Sequence, residues 1–142
     1  MKSLPVVILG GGVAAGYAAK ECAAQSGKRG GVAIVTGESA LPYERPPLSK
    51  GFLAGKEGIG DIQISDDAFY REQGIAVFRN FPVRKVDFRL RRLHGTSGKV
   101  IGFEQLLIAT GSSVRRLKVP GASRSEVFYL RQIEDSQAIR KQ

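Results

Sequence analysis

At 142 residues, with 42% hydrophobic and 25% charged side chains, the chain has the length of one domain and the composition of a soluble globular protein. No run approaches the ~18–20 apolar residues of a membrane helix, and the single cysteine, Cys22, excludes an internal disulfide, a Cys-x-x-Cys redox pair and a cysteine-built zinc site. The net charge of +9 suits anionic ligands, but its sources (Lys28-Arg29, Arg84-Lys85, the arginines of 89–92, Arg115-Arg116, Arg140-Lys141) are scattered, without the aromatic interleaving or zinc-finger spacing of a nucleic-acid reader, so neither a nucleic acid nor a membrane is expected as a partner.

Met1-Lys2-Ser3-Leu4 runs straight into a strand pattern and leaves no room for a signal or transit peptide, which makes a cytoplasmic protein the expectation. Val6 to Leu9 is a continuous apolar run rich in β-branched residues, as in a strand buried on both faces of a parallel sheet. Gly10, Gly11 and Gly12 end it. A helix then runs from about Val13 to Ala24, rich in alanine, with Gly27 where a stop belongs and Cys22 as a small buried hydrophobe within it. Val32 to Thr36 is a second strand, completing a βαβ unit.

The turn reads G-x-G-x-x-A. Gly10 permits the tight turn, Gly12 lets backbone approach a diphosphate, and Ala15 is small enough for helix to pack on strand. The free N–H groups and positive dipole end of the helix favour an anion there. Glu38, just past the second strand, can accept hydrogen bonds from a ribose diol. It stands somewhat later than usual, a delay that the loop 25–31 accounts for, and an acid rather than an arginine argues against a 2′-phosphate.

Leu41-Pro42-Tyr43-Glu44-Arg45-Pro46-Pro47-Leu48-Ser49-Lys50 follows. Its prolines prevent a regular element before Pro47, which can open a short helix through about Leu53. The expectation is a stiff loop presenting Tyr43, Arg45 and Lys50, with two cations suited to phosphate or an electron-rich ring. Residues 53–61 read as loop. Asp66 is a candidate N-cap for a helix over 67–73 ended by Gly74, and 75–78 reads as a strand before the turn Asn80-Phe81-Pro82. Val83 to Leu93 alternates as one strand with a wet face, 95–98 turns, and 99–103 returns, giving an antiparallel hairpin beside the parallel sheet. His94 is expected at the surface. Leu106 to Ala109 is a further apolar run ending in Thr110-Gly111-Ser112. Pro120-Gly121 marks a turn, 127–130 a short strand, and Ile133 opens a helix with Glu134 and Asp135 in its first turn.

Gly10 to Ala19 together with Pro42 to Lys50 resembles the opening of the monodehydroascorbate reductases and, more broadly, of the FAD-dependent pyridine-nucleotide-disulfide oxidoreductases, including the ferredoxin reductases and apoptosis-inducing-factor-like proteins. The resemblance implies an α/β, Rossmann-like FAD-binding fold with a central parallel sheet and a small antiparallel hairpin or meander. It also implies FAD as cofactor, NAD(P)H as co-substrate, and a one-electron acceptor such as the monodehydroascorbate radical or a small redox protein. Carried over by position, Gly11, Gly12, Val13 and Ala14 would lie against the FAD diphosphate and Glu38 at the adenosine ribose. Val83 would contact the adenine end. Ala109, Thr110 and Gly111 would pass close to FAD, with Arg131 contacting it, while Gln132 departs from the acid common there. Arg45 and Lys50 would lie on the flavin side, Lys50 as the one candidate catalytic residue. No metal site is implied.

Such enzymes are several-fold longer, and no second glycine fingerprint occurs in these residues, so the expectation is the N-terminal part of an FAD domain over 1–142, with the nicotinamide-binding and C-terminal domains absent. A non-catalytic nucleotide-binding module derived from such a reductase is the alternative. A plain NAD-binding domain would have no use for the proline-rich loop or the Ala-Thr-Gly turn.

Overall fold

The apolar run ahead of the glycines forms β1 (Ser3–Leu9), and the alanine-rich run after them forms α1 (Val13–Gln25). The computed structural model describes residues 3–25 and 31–142, so Gly27 lies outside the described residues. β2 (Val32–Val35), buried at every position, pairs in parallel with β1 from Val6–Val32 to Leu9–Val35. A 3₁₀ turn at Pro46–Ser49 and the single-turn α2 (Ile59–Ile62) come next, then α3 (Asp67–Glu72), capped as expected by the Asp66 carboxylate, which accepts from the Phe69 N–H at 2.8 Å. β3 (Ala76–Phe78) pairs in parallel with β2. A meander of β4 (Val83–Asp87), β5 (Arg92–Gly95) and β6 (Val100–Ile108) follows, and α4 (Ile133–Arg140) is the last element.

The chain divides into two compact units, Met1–Tyr43 with Gln63–Thr110, and Glu44–Ile62 with Gly111–Gln142. The first holds one sheet in the order β3-β2-β1-β6-β5-β4. Successive residues of a strand face opposite sides, and the core divides accordingly. Ile8, Val32 and Ile34 pack with Ala15 and Ala19 of α1 and with Tyr70 and Ile75 on one side. Val7, Leu9, Ala33 and Val35 pack with Phe81, Leu93 and Phe103 on the other.

The meander corrects several expectations. Residues 83–93 are two strands: the chain reverses over 88–91, where the Asp87 carboxylate accepts from the Leu90 N–H at 2.8 Å and Arg91 takes a positive φ of 51°. That backbone hydrogen bond, helped by Lys85, Arg89 and His94, holds the Asp87 carboxyl below its ordinary pKa against a smaller opposing effect of desolvation. The two runs expected at 99–103 and 106–109 are one strand, β6, antiparallel to β5 over its first residues and parallel to β1 from Ser3–Gly102 to Leu9–Ile108. The exposed Glu104 and Gln105 interrupt the apolar pattern without interrupting the backbone ladder. His94 is half-buried rather than on the surface, and its Nε2 is buried without a hydrogen-bond partner among the described residues. Cys22 is half-buried against the core.

In the second unit the helix expected from Pro47 is a 3₁₀ turn beginning at Pro46, and the stretch read as loop before Asp61 closes into α2 at Ile59. The buried Ser136 hydroxyl of α4 donates to the Leu48 carbonyl at 2.8 Å, tying α4 to the proline turn. Residues 127–130 do not form a strand; no neighbouring strand offers them a ladder among the described residues, and the Val127 N–H closes a turn onto the Arg124 carbonyl at 3.1 Å.

Candidate functional site

β1, β2 and β6 run in parallel, so their C-terminal ends open at one edge of the sheet, where open α/β sheets bind ligands. The glycine turn leaves β1 at that edge. The Gly10 N–H donates to the Val35 carbonyl at 2.9 Å, and the Ala109 N–H donates to the Leu9 carbonyl at 2.8 Å. Gly10 has φ +134°, and a Cβ there would run into the Ala109 carbonyl group. A Cβ on Gly11 would run into the Thr36 side chain. Glycine at both positions lets the three strand ends close together. The Gly10–Gly11 turn and the Ala109–Thr110 turn, far apart in sequence, are thus neighbours.

α1 begins directly after the turn, its first backbone bond running from the Gly16 N–H to the Gly12 carbonyl at 3.0 Å. Ahead of that bond, the N–H groups of a first helical turn have no partner within the helix and carry the positive end of its dipole. No acidic side chain stands in the first turn of α1 to compete with an incoming anion. Gly12 and Val13 are half-buried and Ala14 is exposed, whereas Ala15 is fully buried against the strands, as its fingerprint position requires. A Cβ on Gly16 would lie 2.9 Å from that of Pro42, so α1 also abuts the start of the proline-rich stretch.

Glu38 stands at the end of β2 on a backbone fixed from two sides. Its N–H donates to the hydroxyl of buried Thr36 at 3.1 Å, and its carbonyl accepts from the Asn80 N–H at 3.1 Å. The carboxylate accepts a hydrogen bond from the Tyr43 hydroxyl at 2.8 Å. Tyr43 was expected on the outside of a stiff loop; it is 0% exposed. That Thr36 and Tyr43 are the partners of Glu38 is not expected from the sequence, although a polar residue ending an otherwise apolar buried strand and a tyrosine five positions past the acid are visible there. Val83 opens β4, directly after Pro82, whose Cα lies 3.5 Å from where a Gly37 Cβ would be.

The remaining expected residues lie in the second unit. The Arg45 guanidinium donates to the Arg131 carbonyl at 2.8 Å, and a Cβ on Gly111 (φ +68°) would stand 3.0 Å from the Arg131 guanidinium. Arg131 is held by its own N–H, which donates to the Asp135 carboxylate at 2.8 Å, as does the Gln132 N–H. Gln132, the departure from the expected acid, is the N-cap of α4. Lys50, at the end of the 3₁₀ turn, is exposed. No cluster of metal-binding side chains occurs among the described residues. A pocket of about 510 Å³ bordered by Phe78, Arg79, Lys99 and Ile101 includes none of the residues expected at the site.

A glycine turn that a Cβ would block, an unopposed helix N-terminus and a held carboxylate on the next strand fit a dinucleotide, and with the parallel β3-β2-β1-β6 part of the sheet they define a Rossmann-type dinucleotide-binding domain. The family model "Pyridine nucleotide-disulphide oxidoreductase" matches residues 4–142, and the chain belongs to that family of FAD-dependent oxidoreductases, which use NAD(P)H as co-substrate. Monodehydroascorbate reductase 2 of Arabidopsis thaliana is 41% identical over 148 residues, which cover 95% of this chain and 34% of that protein. Rubredoxin-NAD(+) reductase of Pseudomonas putida is 35% identical, over 97% of this chain and 36% of its own length. The crystal structure of NADH:rubredoxin oxidoreductase from Clostridium acetobutylicum matches with a TM-score of 0.86 at 31% identity, over 99% of this chain and 35% of that one. The chain therefore spans about a third of the length of these relatives. The fold implied by the resemblance is borne out, and so are the enzyme class and cofactor type of the family to which the chain belongs. No helix among the described residues is long and apolar enough to cross a membrane.

Proposed function

We propose that this chain is the FAD-binding part of an NAD(P)H-dependent reductase, of the kind that passes single electrons to monodehydroascorbate radical. The observation that carries the binding reading is the closure of Gly10 under the Ala109 carbonyl, with Glu38 held on the neighbouring strand end. In this reading the backbone N–H groups of Gly11 to Ala14 receive the diphosphate, Ala15 keeps α1 close enough to the strands to aim them, and Glu38 accepts from the adenosine ribose. Thr110 and the backbone of Ala109 border the same turn, and Val83 lies toward the adenine end. When bound, FAD supplies the hydride acceptance and electron release that the reaction requires. For the second unit the proposal rests on sequence position. Arg45, Lys50 and Arg131 would supply positive charge on the flavin side, Arg131 beside Gly111, and Lys50 would favour the anionic reduced form of a flavin.

The acceptor follows the 41% identical Arabidopsis relative, named for monodehydroascorbate; a small redox protein is the alternative, favoured by the relatives named for rubredoxin. No second G-x-G-x-x-G follows within the 142 residues, so the nicotinamide site is proposed to lie outside them, and a cytoplasmic setting is proposed with it. The test is direct. The chain mixed with FAD should retain the flavin absorption band through gel filtration, flavin mononucleotide should not displace it, and NADH alone should not be oxidised. A chain that carries no flavin band overturns the FAD reading. NADH oxidation by this chain alone overturns the placing of the donor site.

A further inference from the structure

We propose that Tyr43 is a positioning residue for the ribose end of the site: its hydroxyl orients the Glu38 carboxylate so that the chain binds nucleotides with an intact ribose diol more tightly than those without. The inference rests on the ribose reading of Glu38 given above. Its physical ground is the mounting of the two side chains. Glu38 is half-buried, on a loop that Thr36 and Asn80 hold through its N–H and carbonyl. The terminal torsion of a glutamate is broad, and the Tyr43 hydroxyl, donating to Oε2 at 2.8 Å, fixes the direction of that oxygen.

The phenol is itself rigid. Tyr43 is fully buried, follows the buried Pro42 with its restricted φ, and forms an antiparallel bridge with Gln63, while the Pro42 carbonyl accepts from the Ile64 N–H at 3.0 Å. A carboxylate has about four acceptor sites, and the phenol takes one of them, so the bond aims the group without consuming it. A buried tyrosine has no need of an acid for packing; phenylalanine would fill the same space. What the hydroxyl adds is direction, and the part of a ligand that needs a directed carboxylate is a pair of adjacent hydroxyls. Glu38 thus discriminates as an oriented acceptor, and the proline-rich stretch contributes to the adenosine end of the site through its first aromatic residue.

The test uses the whole chain and two probes, ADP and 2′,3′-dideoxy-ADP, titrated calorimetrically against wild type, Tyr43→Phe, Glu38→Gln and the double variant. The expected result is a loss of about tenfold in ADP affinity for Tyr43→Phe, the order of one hydrogen bond to a charged group. Dideoxy-ADP affinity should be unchanged, and the double variant should be no weaker for ADP than Glu38→Gln. Retained dideoxy-ADP binding also reports an intact diphosphate turn, so a folding defect cannot imitate the result. Equal loss on both probes in Tyr43→Phe, or no loss on either, overturns the proposal while Glu38→Gln still discriminates between them. If Glu38→Gln also fails to discriminate, the ribose reading of Glu38 falls and this proposal falls with it.

Discussion

Gly10 and Tyr70 show how much one residue can fix. At Gly10 the backbone conformation, φ +134°, is one that side chains rarely adopt, and the space where a Cβ would stand holds the Ala109 carbonyl group. Gly10→Ala should destabilise the chain by at least about 1–3 kcal/mol from backbone strain alone. It should also push the two turns apart, with FAD and ADP affinity falling together in titration. A variant with wild-type affinity would mean that the turn does not need its close approach. Tyr70 is a core residue, 2% exposed, and desolvation pushes its phenol up to about 12, with the Ser65 hydroxyl pulling slightly the other way. The Ser65 hydroxyl donates to the Ile64 carbonyl at 2.8 Å, and the Tyr70 hydroxyl makes no hydrogen bond of good geometry among the described residues. Because the folded pKa lies above the unfolded value near 10, the neutral phenol's contribution is intact below about pH 10 and is lost as pH rises toward 12. Tyr70→Phe should therefore be close to wild type in urea unfolding at pH 8, and more stable than wild type at pH 11.5 by on the order of 2 kcal/mol.

Elements were legible where glycine, proline or a capping acid punctuates the chain. β1, α1 and β2 are bounded by the glycine turn, and α3 lies between Asp66 and Gly74 (φ +66°), each with a local cause that sequence displays. The reversal over 88–91 has no glycine; Arg91 adopts the positive φ there, and its one visible signal is Asp87. The sequence divides β6 because the exposed Glu104 and Gln105 interrupt its apolar pattern, although its ladder with β1 spans both sides of that break, from Gly102 to Ile108. The site divides the same way. Its glycines and Glu38 carry local signals, while Tyr43 is a tertiary partner whose burial no local pattern announces. Where the cause is local its size is also transferable. Asp66→Ala removes the bond to the Phe69 N–H and should lower stability by about 1 kcal/mol. The melting temperature should fall by about 4 °C, and an unchanged melting curve would mean that α3 owes its start to packing alone.

For the whole molecule the excess of 22 basic over 13 acidic side chains sets two salt effects in opposition. Without ligand, a net charge of +9 repels itself, and salt relieves that strain on the fold. With FAD present, the same positive field attracts the diphosphate, and salt weakens the attraction. Ligand binding to the folded state alone adds about 2.7 kcal/mol when its free concentration is a hundred times Kd. At one fixed FAD concentration, thermal melts between about 20 and 500 mM salt should therefore converge. The unliganded midpoint rises, and the increment that FAD adds shrinks. An increment independent of salt would assign diphosphate recognition to the backbone N–H groups of Gly11 to Ala14, whose contacts are too short-ranged to be screened, and would leave the scattered lysines and arginines no part in holding the cofactor. An increment that collapses in step with the Debye length would assign the larger share to the field.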